Sequence, residues 1–404
     1  MDNLTHTVLG LVAGEAVARV SRSPRRASLV AIGILGGNLP DADLAVSYGG
    51  GKLGYLLQHR GYTHTLVGCV AIALLLYAAV AFLQRARGSP FTRREHGAMA
   101  AFAGFAVLLH LGMDALNNYG VHPFWPFDDR WFYGDVLFIV EPSFWIAAAP
   151  LVLLQRTRAA RLALGLLVLV ALVLNVVTHT GQFLEWITVT ALVVGLLAIG
   201  RAAAPRLAAL VAVAGCVLVL AMFAAGRVAA TRAVQAAAAA QFAGEIPVDD
   251  VMTPGPMQPA CWDVLSMRRT TDRYLARQAN VDLRGDASRA RCSQLQLGTS
   301  ATAPWAPIAA RPGADARVRW RGVVDVPLPT LAAVAQGDCR IRALLQFVRA
   351  PYVGQHEGMR YVGDLRFDRE AALGFAELPV EEPDARCPRA VPWVMPRADL
   401  LAPP

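Results

Sequence analysis

Long apolar runs dominate the first 228 residues and vanish after Pro247. Read as candidate spans they number eight, at about 5–20, 28–44, 65–84, 97–116, 137–155, 161–178, 184–200 and 206–228. A helix needs about 20 apolar residues to cross a bilayer, with about 17 a common lower limit. The first two runs are short by that measure, and Gly36-Gly37-Asn38 closes the second early. Beyond Pro247 prolines are frequent and charge rises. Segments such as Ala316–Val324 and Ala343–Val348 alternate in the manner of strands. The expected fold is an α-helical multi-span membrane domain over 1–228, a helical extension over 229–246, and a small strand-rich domain over 247–404.

Composition agrees with that division. Hydrophobic residues make up 55% of the 404, too high a share for an ordinary soluble protein. The net charge of +8 comes with no dense basic run and no basic-aromatic stripe, so no nucleic-acid partner is expected. Arg19, Arg22, Arg25, Arg26, Arg85, Arg87, Arg93, Arg94, Arg156, Arg158, Arg161, Arg201 and Arg206 fall on alternate loops, against Lys52, Arg60 and Arg130 on the others. The positive-inside rule puts that first set in the cytoplasm, with the loops 39–64, 117–136 and 179–183 and everything after 228 outside. Without a basic n-region or cleavage site, the N-terminal segment reads as a retained helix.

Cysteine placement fits the same orientation. Cys69 and Cys216 lie within spans, whereas Cys261, Cys292, Cys339 and Cys387 lie in the polar region, where two disulfides are expected in an oxidising compartment. Four cysteines allow three pairings, and spacing alone leaves all three open.

Six of the eight histidines gather toward the outer ends of these spans: His6, His59, His64, His110, His122 and His179. Ionisable groups are costly in a bilayer, so their convergence on one face reads as a site. His110 and Asp114, four apart on a helix, share a face and can reach one ion, or can pack two helices by hydrogen bonding. Asp41 and Asp43 follow Pro40 and point to the same side if the chain there is extended. In His59-Arg60-Gly61-Tyr62-Thr63-His64, Gly61 permits a sharp turn, Thr63 is placed to cap the next helix, and Arg60 is suited to an anion or to an ion pair with an aspartate. Thr5-His6 repeats the Thr-His arrangement at the start of the first helix. Asp135 and Glu141 bracket the outer mouth of span five. His122 and His179 read as interfacial, and His96 lies on the cytoplasmic side.

The strings Asn3-Leu4-Thr5-His6, Leu39-Pro40-Asp41-Ala42-Asp43, His59 to His64 and His110 to Asp114, in this order, resemble the bacterial inner-membrane "metal-dependent hydrolase" family, whose founding members are LexA-regulated and YdjM-like. The resemblance covers roughly residues 1–150. It implies a multi-span protein of the bacterial inner membrane and a metal-dependent hydrolase.

The residues and the resemblance together give two expectations. One is a hydrolase holding one or two divalent ions, most simply zinc, with manganese or iron as alternatives. Its ligands would be His6, Asp41, His59, His64, His110 and Asp114. Asp43 or Asp135 would serve as base and Arg60 would bind a developing anion. A site at the headgroup level points to membrane lipids and a lipid or lipid-linked phosphoester. The other is a metal-stabilised scaffold or carrier whose outer domain binds a protein partner.

Overall fold

The computed structural model describes residues 1–178, 183–285, 292, 303–309, 314–368, 374–380 and 387–401. His179 lies outside them. The first 241 residues form helices α1 (Asn3–Val20), α2 (Arg26–Gly36), α3 (Leu44–Ser47), α4 (Gly51–Gln58), α5 (Leu66–Ala86), α6 (Arg93–Ala115), α7 (Ser143–Ala147), α8 (Arg158–Thr178), α9 (Phe183–Ala202) and α10 (Pro205–Gln241). Among the described residues five helices, α5, α6, α8, α9 and α10, are long and apolar enough to cross a membrane. The chain is a multi-pass membrane protein followed by a strand-rich region.

Three of the eight expected spans are not among these five: the run at 5–20 forms α1, and the other two take a different form. The run at 28–44 ends as a helix at Gly36 and continues as a 3-10 turn, Leu39–Asp43. The run at 137–155 is no span: it breaks into α7 and a short 3-10 turn, Ala149–Leu151. Pro142 and Pro150 are the physical reason, since each removes a backbone donor and fixes φ.

The chain divides into two compact units, residues 1–42, 62–125 and 137–224, and residues 43–61, 126–136 and 225–404. In the first, α1 and α2 form a hairpin packed backbone to backbone. A Cβ at Gly10 would sit 2.2 Å from the carbonyl oxygen of Gly33, and one at Gly14 would sit 2.8 Å from that of Leu29. Small residues permit this approach where no hydrophobic effect drives helices together. Glu15, fully buried in α1, is held by Arg19 at 2.9 Å and by Arg26, which pins the other end of the hairpin. Ile32, Leu76, Phe102 and Ala106 form the apolar contact between α2, α5 and α6. A capping box between Thr92 and Glu95 starts α6, fixing the phase of the helix that carries His110 and Asp114.

In the second unit an antiparallel sheet runs β1-β2-β3-β5-β4, with β1 (Ile246–Gly255), β2 (Gln258–Arg269), β3 (Arg273–Asp282), β4 (Ala306–Pro307) and β5 (Val318–Pro327). After α11 (Leu328–Gly337) and α12 (Cys339–Leu345), a second sheet joins β6 (Pro351–His356), β7 (Met359–Asp364) and β8 (Glu377–Pro379), and α13 (Ala398–Leu401) follows. The β6–β7 hairpin turns on Glu357 and Gly358, both at positive φ, as a two-residue hairpin loop requires. Val251, Met267, Tyr274, Val324 and Tyr352 lie in its core.

The strand expected at Ala316–Val324 is present from Val318 onward as part of β5, with Ala316 and Arg317 in the turn before it, whereas Ala343–Val348 is the end of α12 and the turn after it. A short apolar run reads the same in either state, and here the Asp338 carboxylate, accepting from the Arg340 amide at 2.7 Å, starts a helix. The disulfides are Cys261–Cys292 and Cys339–Cys387, with Cys69 and Cys216 as free thiols.

Candidate metal centre

Four of the expected ligands converge inside the first unit. Asp41 comes from the Leu39–Asp43 turn, His64 from a 3-10 turn, Tyr62–His64, just before α5, and His110 and Asp114 from α6. One ligand atom of each lies within 4.8 Å of the others, and all four residues are buried. His64 Nε2 is 3.2 Å from Asp114 Oδ2 and 3.4 Å from Asp41 Oδ1. His110 Nε2 is 3.0 Å from His64 Nε2, 3.5 Å from Asp114 Oδ2 and 3.6 Å from Asp41 Oδ1. His6 joins from α1, its Nε2 3.2 Å from Asp114 Oδ1 and its ring stacked on that of His110 at 3.9 Å.

The hydrogen bonds behind the rings decide what the cluster presents. His110 Nδ1 lies 2.8 Å from the Gly37 carbonyl. A carbonyl only accepts, so Nδ1 carries the proton and the neutral ring turns a bare Nε2 lone pair inward. Thr63 Oγ1, 3.0 Å from His64 Nδ1, orients the second ring, and as a hydroxyl it can donate or accept there. Imidazole nitrogens and carboxylate oxygens then face one another at close range in a buried space. The N-terminal ammonium of Met1 pairs with Asp114 in this space, and the mixed nitrogen and oxygen donors around it are of the kind that hold a divalent metal such as zinc.

Asp41 lies outside the spans and is ionised at neutral pH. Burial pushes its carboxyl up, but the hydrogen bond from His64, with the surrounding imidazoles and the N-terminal ammonium, outweighs this and holds it at about 2. Its second oxygen, Oδ2, accepts from Asn3 Nδ2 at 3.1 Å.

Thr63 was expected to cap the helix after it. That cap is Thr65, whose side chain accepts from the Gly68 amide at 2.9 Å, which leaves Thr63 to orient His64. Asp41 and Asp43 were expected to point together on an extended chain. The chain there is a 3-10 turn instead, with the Asp41 amide donating to the Asn38 carbonyl at 3.1 Å, and one ligand atom each of Asp41, Asp43 and His59 lies within 4.8 Å of the others. Asp43 pairs with His59 Nδ1 at 3.0 Å and accepts from the Arg60 amide at 2.9 Å. Arg60 is 1% exposed, and its φ of +61°, a left-handed conformation rare outside glycine, makes the turn expected of Gly61.

Asp135 occupies a different setting from a general base. Arg349 donates to both of its oxygens, at 2.8 and 2.9 Å, and also holds Asp249 at 2.8 Å, with its guanidinium 4.1 Å above the Tyr133 ring. The two oxygens of Asp135 are committed to a buried ion pair inside the second unit. Glu141 accepts from the Ser143 amide at 3.0 Å at the start of α7. Sequence reasoning passed over Asn3, Asn38 and Gly37. Asn3 stands in the Asn3-Leu4-Thr5-His6 string, and Gly37 and Asn38 stand in the string that ends the second apolar run, where they read as a helix end and not as site residues.

The chain is 27% identical over 158 residues to the uncharacterized protein YfhP of Bacillus subtilis (strain 168), a match covering 36% of this chain and 44% of that protein. The chain thus spans under half the length of this curated relative. No solved structure matches the chain. The resemblance read from four short strings is borne out over a longer segment: residues 1–183 match the family of the YdjM inner membrane protein.

Proposed function

We propose that this chain is a membrane-embedded, metal-dependent hydrolase whose metal is held by Asp41, His64, His110 and Asp114, with His6 orienting Asp114. The observation that carries the proposal is the burial of four potential ligands with their donor atoms within 4.8 Å of one another. When bound, a divalent ion of this kind lowers the pKa of a coordinated water toward 7 and supplies a hydroxide nucleophile. The chain's own contribution is to fix its imidazoles by hydrogen bonds to Gly37 and Thr63 and to keep Asp41 ionised. Zinc is the proposed ion, with manganese and iron as the alternatives. Asp43, paired with His59, is the proposed proton-handling group, and Arg60 the proposed anion-binding group.

The proposed substrate is an ester carried by a membrane lipid, a phosphoester in the first instance. The proposed location is the bacterial inner membrane, with the strand-rich region outside the cytoplasm, where its two disulfides would persist. A second reading, a metal-stabilised scaffold whose outer domain binds a protein partner, is favoured by the near-complete burial of all four ligands. The experiment is metal analysis of the detergent-purified protein beside His64→Ala and Asp114→Ala, followed by hydrolysis of lipid phosphoesters. One or two equivalents of metal lost in both variants, together with turnover by the wild type, supports the enzyme. Metal without turnover supports the scaffold.

A further inference from the structure

We infer that Asn3 is a positioning residue that makes Asp41 a one-oxygen ligand and so selects a metal of low coordination number; the inference rests on the proposed metal site. The Asn3 amide donates to Asp41 Oδ2 at 3.1 Å and to Asn38 Oδ1 at 3.3 Å. Asn38 in turn donates to the Ile34 carbonyl at 2.8 Å and to Thr7 Oγ1 at 3.0 Å. The chain of amides thus ties the start of α1 to the end of α2 and to the turn that carries Asp41.

The result is a division of labour between the two oxygens of one carboxylate. Oδ1 faces His64 and His110, while Oδ2 is occupied by an amide donor. A carboxylate held this way offers a metal one oxygen. Four donors with one atom each suit the tetrahedral preference of zinc, whereas calcium and magnesium take six or more oxygen ligands. Asn3 is exposed and Asp41 buried, so the amide covers the carboxylate on its outer side without belonging to the core.

The test uses cobalt as a spectroscopic probe on the full-length protein in detergent. Cobalt affinity is measured by chelator competition, and the visible absorption of the bound ion reports its coordination number. Asn3→Ala is expected to weaken cobalt binding by about 10- to 100-fold, the usual effect of removing a group that orients a ligand. Its visible bands should also lose intensity as Asp41 turns its second oxygen to the ion, while Asn3→Gln, which keeps the donor, restores both. The melting temperature of metal-free Asn3→Ala checks that the fold is intact; if it falls sharply, the comparison passes to Asn3→Gln against Asn3→Leu. An Asn3→Ala protein with wild-type affinity and spectrum would overturn the inference and leave the metal site standing. A wild type that binds no cobalt, zinc or manganese would overturn both.

Discussion

His110 donates through Nδ1 to the carbonyl of Gly37 at 2.8 Å, so one hydrogen bond joins the helix that carries two ligands to the hairpin that carries His6. That bond also settles which ring nitrogen faces Asp114 and Asp41. A Cβ at Gly37 would lie 2.8 Å from the carbonyl oxygen of His6, so the residue that accepts from His110 also packs directly on the backbone of His6.

Removing a ligand should remove the metal. Asp114 is approached by His6, His64 and His110, so Asp114→Ala is expected to abolish stoichiometric metal binding, and His64→Ala to lower affinity at least about 100-fold. Elemental analysis after dialysis against a weak chelator reads both. Wild-type metal content in either variant would break the assignment.

The hairpin should be intolerant of side chains where its backbones touch. Gly33→Ala puts a Cβ within 2.2 Å of the Gly10 carbonyl oxygen, and the two helices must separate to admit it. The expected cost is about 1–3 kcal/mol, read as a lower melting temperature in detergent, with reduced metal affinity as His6 shifts. Gly49→Ala, where an added Cβ meets nothing, is the control and should leave both unchanged.

Asp135→Asn should separate an anchor from a base. The variant leaves Arg349 with half of its buried compensation, so the strand-rich unit is expected to lose about 3–5 kcal/mol of stability. Metal content should not change. If instead turnover vanishes with the melting curve intact, Asp135 is a chemical group after all.

Acid and base should act differently on the second unit because of Glu377. Burial pushes this carboxyl up to about 7, helped by the neighbouring Asp368 carboxyl and opposed by the Gly374 amide, which donates to it at 2.7 Å. A carboxyl raised in the folded state stabilises the fold fully below its unfolded pKa of about 4.5 and loses that contribution as pH rises through about 7. The melting temperature of the strand-rich unit should therefore fall between pH 5 and pH 8, by up to about 3 kcal/mol in stability. Glu377→Gln should flatten that slope, and an unchanged slope would rule Glu377 out as its source.

Much of the architecture is written locally. Apolar runs of span length, such as those at α5, α8, α9 and α10, need only the 3.6-residue period and a bilayer to become helices, and Cys261, Cys292, Cys339 and Cys387 announced two disulfides by their placement. His110 and Asp114 were legible as a pair because helical spacing fixes their common face. The prolines at 142 and 150 were equally visible, but their weight against an apolar run becomes clear only in the broken helices at 143–151.

The pairing of distant residues was a tertiary decision. Asp41 and Asp43, two residues apart, went to different partners because the chain turned at Leu39–Asp43 instead of extending. Asp135 met Arg349, 214 residues away, and became an anchor. Periodicity determines which face of an element a residue occupies; which carboxylate meets an imidazole and which meets a guanidinium depends on how elements far apart in the chain are packed, and no local pattern encodes that.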